Sequence, residues 1–458
     1  MKTVIMAGGK GTRISSIISN IPKPMIKISG KSVLEYEIEN LRNQGKTDII
    51  ITVSYLSDII MSYFGDGSRF GVKISYFCEE QPLGNAGALL KLWQSGSLGK
   101  GADEDFLLLN ADAMFDIDFD KFIQFHTMHG GLATLFTHPN SHPYDSGLID
   151  VDENHYVTMW LTKEDERPVY YKNRVNAGLH VLNTKLFAVA EIDPSLIGTR
   201  DITGEIVKID LDRQLLKPLA GTGKLVAYDS TEYVKDMGTP KRFEQVCADL
   251  KRGRIKARNY RNPQKAIFLD RDGTINQYVG FLRTADDFEL LPEAAEAIKL
   301  INDSGYLAIV VTNQPVIARG EVTVPELTNI HNKMETLLGV EGAYIDRIYY
   351  CPHHPDSGFY GEVKSLKVDC NCRKPKPGLI LQAAQDYNIN LNSSWMIGDS
   401  DQDVIAGNAA GCNTILLTRV DKESSVKNET KNCTDRIYPT FSAANLLEAV
   451  KIILRIIK

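Results

Sequence analysis

Twice in this chain a short, wholly apolar strand runs straight into a polar loop suited to phosphate chemistry. One such junction opens the sequence and the other lies past its midpoint. Val4–Ala7 precedes Gly8-Gly9-Lys10-Gly11-Thr12-Arg13, and Ala266–Leu269 precedes Asp270-Arg271-Asp272-Gly273-Thr274. After each junction, apolar strand-like runs alternate with amphipathic helix-like stretches, the pattern of α/β units on a mostly parallel sheet. Two such openings in 458 residues predict two domains rather than one enlarged core.

In the first series, Val4–Ala7, Ile49–Val53, Val72–Phe77 and Phe106–Leu109 read as strands, with helices over Val33–Gln44, Asp58–Phe64 and Ala86–Trp93. From about Gly131 to Asp236 the pattern turns β-rich, and a helix over Pro240–Lys251 closes a first domain at 1–252. Residues 253–264 are basic, poor in core residues and end at Pro263, which predicts a solvated linker rather than a nucleic-acid patch. The second series fills 265–458, with strands at Ala266–Leu269, Leu307–Val311, Ile345–Tyr350 and Trp395–Ile397. Its helices are predicted at Glu293–Asn302, Leu379–Tyr387, Gln402–Ala410 and Ala443–Ile456.

A formal charge of −6 provides no broad basic surface, which argues against general nucleic-acid binding. Charged residues interrupt every apolar run short of a membrane span, and Met1–Met6 has no secretion-signal pattern, so a cytoplasmic protein is expected. Of seven cysteines, Cys351, Cys370 and Cys372 crowd one region. An odd total of this kind points to a metal site rather than a disulfide framework. The sequence does not fix the oligomeric state, and a homo-oligomer is compatible with it.

In the first loop, three glycines allow close backbone approach to phosphate oxygens, while Lys10 and Arg13 add positive charge. Neither the P-loop nor the dinucleotide spacing fits, because Ile14 stands where a third glycine of GxGxxG would fall. Gly8–Arg13 and Pro22-Lys23-Pro24-Met25, followed in order by Glu80–Ala88, Asn110-Ala111-Asp112, Asn176-Ala177-Gly178 and Asp236–Pro240, resemble the sugar nucleotidyltransferase family over about residues 1–250. The resemblance implies a Rossmann-like domain with a mixed, mostly parallel sheet. It implies nucleotide contacts from Gly8, Gly9, Gly11, Thr12, Gln81 and Gly84, and sugar contacts from Asn176 and Lys163. Mg²⁺ is implied on Asp112 and Asp236, with Arg13 and Lys23 as catalytic cations. Thr162-Lys163-Glu164 stands where Glu-Lys-Pro is common in the family. The chemistry suits these residues: a sugar 1-phosphate oxygen attacks the α-phosphorus of a nucleoside triphosphate and expels pyrophosphate, which needs positioning and charge neutralisation.

In the second loop, two carboxylates two residues apart at a strand end are costly unless they hold a cation. One can attack phosphorus while the other protonates the leaving oxygen. Thr312-Asn313-Gln314, Arg373-Lys374-Pro375 and Gly398-Asp399 follow, an order that resembles the haloacid dehalogenase superfamily. Within it, Ile317–Gly320, Cys351–Pro355 and Cys370–Pro375 resemble the heptose bisphosphate phosphatases. That resemblance implies a second Rossmann-like domain with a zinc loop. Asp270 and Asp272 become catalytic, Mg²⁺ falls on Asp270, Asp272 and Asp399, and the phosphate falls on Thr312, Asn313, Arg373 and Lys374. Cys351-x-His353 and Cys370-x-Cys372 offer one nitrogen and three sulfurs for a tetrahedral, structural Zn²⁺, and family spacing favours His353 over His354.

The two halves form a chemical sequence. A phosphatase that removes the 7-phosphate of D-glycero-D-manno-heptose 1,7-bisphosphate leaves a sugar 1-phosphate for the transferase. The resemblance points to GTP as the nucleotide and heptose phosphates as the sugars. A hexose 1-phosphate, a histidinol-phosphate-type phosphatase, or a non-catalytic nucleotide-binding N-terminal module stay open as alternatives.

Overall fold

In this computed structural model, residues 1–9, 21–81, 83–99, 103–190, 192–193, 197–200, 203–418 and 438–456 are described. Gly11, Thr12 and Arg13 fall outside them. The chain divides into two compact units. The first is 1–138, 147–162 and 174–259; the second is 139–146, 163–173 and 260–458.

The first unit is built on one large sheet. Its main path runs Val157–Leu161, Leu148–Val151, Val175–Asn183, Asp105–Asn110, Lys2–Met6, Asp48–Val53, Lys73–Cys78. Lys2–Met6 pairs in parallel with both Asp48–Val53 and Asp105–Asn110, whereas Val175–Asn183 runs antiparallel to Asp105–Asn110. Successive residues of one strand enter opposite cores: Val4, Phe106 and Leu108 on one face, Ile5, Leu107 and Leu109 on the other. Burial on both faces explains why these strands read as unbroken apolar runs. A small antiparallel ribbon, Ala113–Asp116 with Tyr233–Asp236, lies beyond the end of Asp105–Asn110.

The stretch expected as a solvated linker is instead folded. Arg254–Ala257 forms a short helix and Ile255 joins an apolar cluster. Arg254 pairs with fully buried Asp249 at 3.0 Å, and Asn259 donates to Asp116 at 2.6 Å. Arg254 and Arg258 are buried, Arg254 as the counter-charge of Asp249, whereas Lys256 and Arg261 face water.

The second unit carries a six-stranded, all-parallel sheet in the order Arg347–Cys351, Leu307–Asn313, Ala266–Leu269, Trp395–Gly398, Asn413–Leu417, Phe441–Ala443. The Ala294–Ser304, Val324–Val340 and Leu446–Ile456 helices contribute to one of its cores, and the Gly378–Asp386 and Asp401–Ala410 helices to the other. Val324–Val340 is held at its start by a capping box in which Thr323 and Glu326 satisfy each other's backbone N–H. The two short segments 139–146 and 163–173 complete this unit. Lys172 Nζ lies 2.5 Å from Glu335, the Asn173 N–H donates to the same carboxylate at 2.7 Å, and the Tyr171 N–H donates to Thr336 at 3.0 Å. No helix among the described residues is long and apolar enough to cross a membrane.

Candidate active sites

In the first unit the candidate residues gather where Lys2–Met6 and Asp105–Asn110 end side by side, as ligand sites of open α/β sheets do. Gly8 follows directly, and a Cβ there would come 3.0 Å from a Glu79 oxygen. Gly84 has φ +78°, and a Cβ would meet the Ile209 carbonyl oxygen at 2.4 Å, so this loop closes only with glycine. Gln81 donates through Nε2 to the Gly198 carbonyl. Gly178 has φ +74° and packs so closely on Asn110 that a Cβ would lie 2.4 Å from its Nδ2. This brings the Asn176–Gly178 segment beside Asn110–Asp112, with Asn176 Oδ1 accepting from the Gly178 N–H.

Asp112 and Asp236 are neighbours across the small ribbon. Asp236 is in register with Ala113, and the Met237 N–H donates to the Asp112 carbonyl at 3.0 Å. Each carboxylate has its own cation. Buried Lys23 reaches Asp112 at 2.7 Å, and Arg242 reaches Asp236 at 2.8 and 2.9 Å. Burial pushes the Asp236 carboxyl up, but Arg242, the Gly238 N–H and Lys23 together leave the group below the ordinary range. Two half-exposed carboxylates, Asp112 in the turn before Ala113–Asp116 and Asp236 at the end of Tyr233–Asp236, suit a hard divalent cation. Arg242 was not singled out in the sequence; its place in the first turn after the Asp236–Pro240 motif was the available signal. Glu37 was also passed over. It is fully buried, neither carboxylate oxygen has a partner, and burial, then Asp112, holds its pKa well above the usual range. Lys163 begins the segment 163–173, which groups with the second unit.

In the second unit the site forms at the carboxyl ends of Ala266–Leu269 and Trp395–Gly398. Oxygens of Asp270, Asp399 and Asp403 lie within 4.8 Å of one another. Two glycines permit this approach: a Cβ on Gly273 (φ +81°) would sit 2.2 Å from Asp399 Oδ2, and one on Gly398 2.2 Å from Asp403. Lys374, almost wholly buried, bridges Asp270 at 2.8 Å and Asp403 at 2.6 Å. Burial pushes Asp270 up to about 7, with Lys374 opposing and Asp403 and Asp272 adding to the rise. Burial also opposes the Lys374 charge, but the two aspartates more than offset this and hold it at about 12. Three carboxylates around one ammonium remain short of positive charge, and the all-oxygen donor set fits Mg²⁺.

Two of the residues expected to act here are held by protein contacts. The Asp272 side chain does not join the carboxylate cluster. Arg271 grips both its oxygens at 2.8 Å, while Asn276 and Gln314 donate to them at 3.1 and 2.9 Å. Asp403 takes the third place, with its other oxygen fixed by the Ser400 N–H and hydroxyl in a helix cap. Asn313 is occupied as well: its amide donates to the Lys374 carbonyl and accepts from the Lys374 N–H, both at 3.0 Å, so it orients the lysine. Thr312 lies next to it, its hydroxyl accepting from Gln314 at 3.0 Å.

Cys351 ends its strand opposite Asn313. Its sulfur lies 3.5 Å from Cys370 and 3.3 Å from Cys372, and His353 Nδ1 lies 3.3 Å from the Cys372 sulfur. The four ligand atoms form one compact group, a metal site in composition and size. Zn–S bonds of about 2.3 Å would set edges of about 3.8 Å, a small expansion of what is seen. His354 is turned elsewhere, accepting the Asp356 N–H at 3.1 Å. Arg373, next after Cys372, donates to the His353 carbonyl at 3.3 Å, tying the cluster to the loop that carries Lys374.

Fold and sites together define a two-unit α/β enzyme of phosphate chemistry, with one nucleotide-type and one aspartate-type centre. A sequence profile of the nucleotidyl transferase family matches residues 2–253, and one described as HAD-hydrolase-like matches 371–449. Over 160 residues the chain is 41% identical to the D-glycero-β-D-manno-heptose-1,7-bisphosphate 7-phosphatase of Pasteurella multocida, covering 35% of this chain and 84% of that protein. The protein of the same name from Escherichia coli K12 is 38% identical over 186 residues, 41% of this chain and 93% of that one. Among solved structures, HddC from Yersinia pseudotuberculosis is similar at 25% identity and a TM-score of 0.44, covering 54% of this chain and 99% of that one. The chain belongs to the nucleotidyl transferase family and, through its C-terminal part, to the D-glycero-β-D-manno-heptose-1,7-bisphosphate 7-phosphatase family.

Proposed function

We propose that the chain is a bifunctional enzyme of nucleotide-activated heptose synthesis. The second unit removes the 7-phosphate of D-glycero-D-manno-heptose 1,7-bisphosphate, and the first transfers GMP from GTP to the resulting heptose 1-phosphate with release of pyrophosphate. The observation that carries the reading is the convergence of Asp270, Asp399 and Asp403 around Lys374, in a unit whose relatives bear the bisphosphatase name.

In the phosphatase, an Asp270 oxygen bonds to phosphorus as the phosphorus–alcohol oxygen bond breaks, and Asp272 gives its proton to the departing alcohol. A water oxygen then bonds to phosphorus, its proton returns to Asp272, and the aspartyl bond breaks to release phosphate. Lys374 offsets the charge between carboxylates and phosphoryl oxygens. Mg²⁺ held by Asp270 and Asp399 would supply further neutralisation. In the transferase, Lys23 and Arg13 neutralise phosphate oxygens, Gln81 and Gly84 shape the nucleotide loop, and Asn176 contacts the sugar. Mg²⁺ on Asp112 and Asp236 would supply charge at the triphosphate. Zn²⁺ on Cys351, His353, Cys370 and Cys372 would be structural, with every tetrahedral position filled by protein, fixing the loop that presents Arg373 and Lys374.

The test is product analysis by mass after incubating the chain with the α- or β-anomer of heptose 1,7-bisphosphate and each nucleoside triphosphate in turn. The expected products are phosphate, pyrophosphate and a GDP-heptose. Phosphate release without any nucleotide sugar would remove the transferase half, and transfer to hexose 1-phosphates alone would remove the heptose assignment.

A further inference from the structure

Arg271 is fully buried between the two aspartates of the phosphatase loop. Its Nε and Nη2 groups are spent on Asp272 and on Gln314 Oε1. Nη1 turns the other way and meets His331 Nε2 at 3.2 Å. Among the described residues this is the one acceptor shown for Nη1. His331 lies on the Val324–Val340 helix, buried, its ring 5.8 Å from that of Tyr350. The imidazole can accept only when Nε2 carries a lone pair, which requires the neutral ring with its proton on Nδ1. Burial first, then the positive charge of Arg271, holds His331 well below its ordinary pKa and keeps the ring in that form.

A guanidinium is a rigid plane, so the direction in which Nη1 is held sets the direction of the opposite edge. That edge carries Asp272. Losing the imidazole acceptor would leave Nη1 hydrogens buried without a partner, and the plane would turn to find one. Asp272 would turn with it. We propose that His331 is a positioning residue of the phosphatase: through Arg271 it sets the orientation from which Asp272 hands a proton to the leaving alcohol.

The role can be separated from mere stability by the choice of leaving group. An alkyl phosphate needs the proton, whereas p-nitrophenolate departs without it. H331M, which cannot accept from Arg271 as an imidazole does, is expected to lower kcat on the heptose bisphosphate by about tenfold or more, a share of the usual general-acid contribution. It should leave p-nitrophenyl phosphate hydrolysis within about twofold. H331Q, whose amide oxygen can accept, should recover the sugar reaction. Retained p-nitrophenyl phosphate hydrolysis is itself the sign that the second unit of the variant is folded. Equal losses on both substrates, or no loss on the sugar, would overturn the proposal. Should H331M fail to fold, ¹⁵N spectra of the histidines in the unaltered chain decide: a proton on Nε2 of His331 is incompatible with the role, and one on Nδ1 supports it. The inference rests on the phosphatase reading. No phosphate release from either substrate by the unaltered chain would overturn that reading, whereas release without the selective effect of H331M overturns this one alone.

Discussion

Single buried side chains set opposing pH dependences in the first unit. His180 is wholly enclosed, neither ring nitrogen has a partner, and burial lowers its pKa from 6.5 to about 3. Its stabilising contribution is complete above pH 6.5 and fades as the pH falls toward 3, because the unfolded chain takes up a proton that the folded one refuses. Between pH 6.5 and 5 this removes about 2 kcal/mol, and H180L should abolish that slope in urea unfolding of the first unit. Glu37 acts in the other direction. Its raised pKa means that folding is favoured while it is protonated and disfavoured as the pH rises above the ordinary 4.5. E37Q should therefore stabilise the unit at pH 8 and change little at pH 4, and an equal effect at both would contradict the assignment. Neither group was legible in the sequence. A histidine in an apolar strand and a glutamate in an amphipathic helix look ordinary until the opposite packing surface is known. The glycines were more readable, because Gly84 and Gly273 sit within ordered motifs. At Gly273, G273A would drive a methyl into Asp399 at a positive φ, and phosphate release should fall by about a hundredfold or more while nucleotidyl transfer persists.

At the scale of elements, the sequence located the strands that carry chemistry, including Ala266–Leu269 with its observed bounds. Strands buried on both faces are continuous apolar runs, and those are hard to misread. The Val324–Val340 helix was not among the expected elements, although Thr323-x-x-Glu326 before an apolar pattern was a usable signal. Its importance lies in what holds it. Glu335 is almost fully buried and takes its recorded partners from Lys172 and Asn173, while Gly339 packs against Pro143. A fragment of residues 260–458 lacks those partners. It should melt well below the corresponding transition of the full chain. K172A in the full chain should cost about 1–3 kcal/mol, since it strips a charged partner from a buried carboxylate. The cysteine–histidine loop is a second element-level test. C372S, or removal of the metal by chelation, is expected to loosen the loop and lower phosphatase activity with the sheet intact. Full activity in a verified metal-free sample would contradict a structural role.

At the scale of the whole molecule, the two centres draw on separate residues. Asp270→Asn should abolish phosphate release while transfer to supplied sugar 1-phosphate continues, and Asp112→Asn should do the reverse. Loss of both activities in either folded variant would contradict independent sites. The order of motifs made two catalytic halves readable from the sequence, because each half keeps its own succession of loops. The composition of the units was not readable. Segments 139–146 and 163–173 are surrounded in sequence by strands of the first unit, and nothing local to them signals membership of the second.

That membership bears on how such a protein can be taken apart. The polypeptide passes from one unit to the other at 138/139, 146/147, 162/163, 173/174 and 259/260. A single protease nick near the last of these would sever one thread and leave four. The halves would then co-migrate on a sizing column until denaturant was added, and a gene split at that point would yield a phosphatase missing part of its own wall.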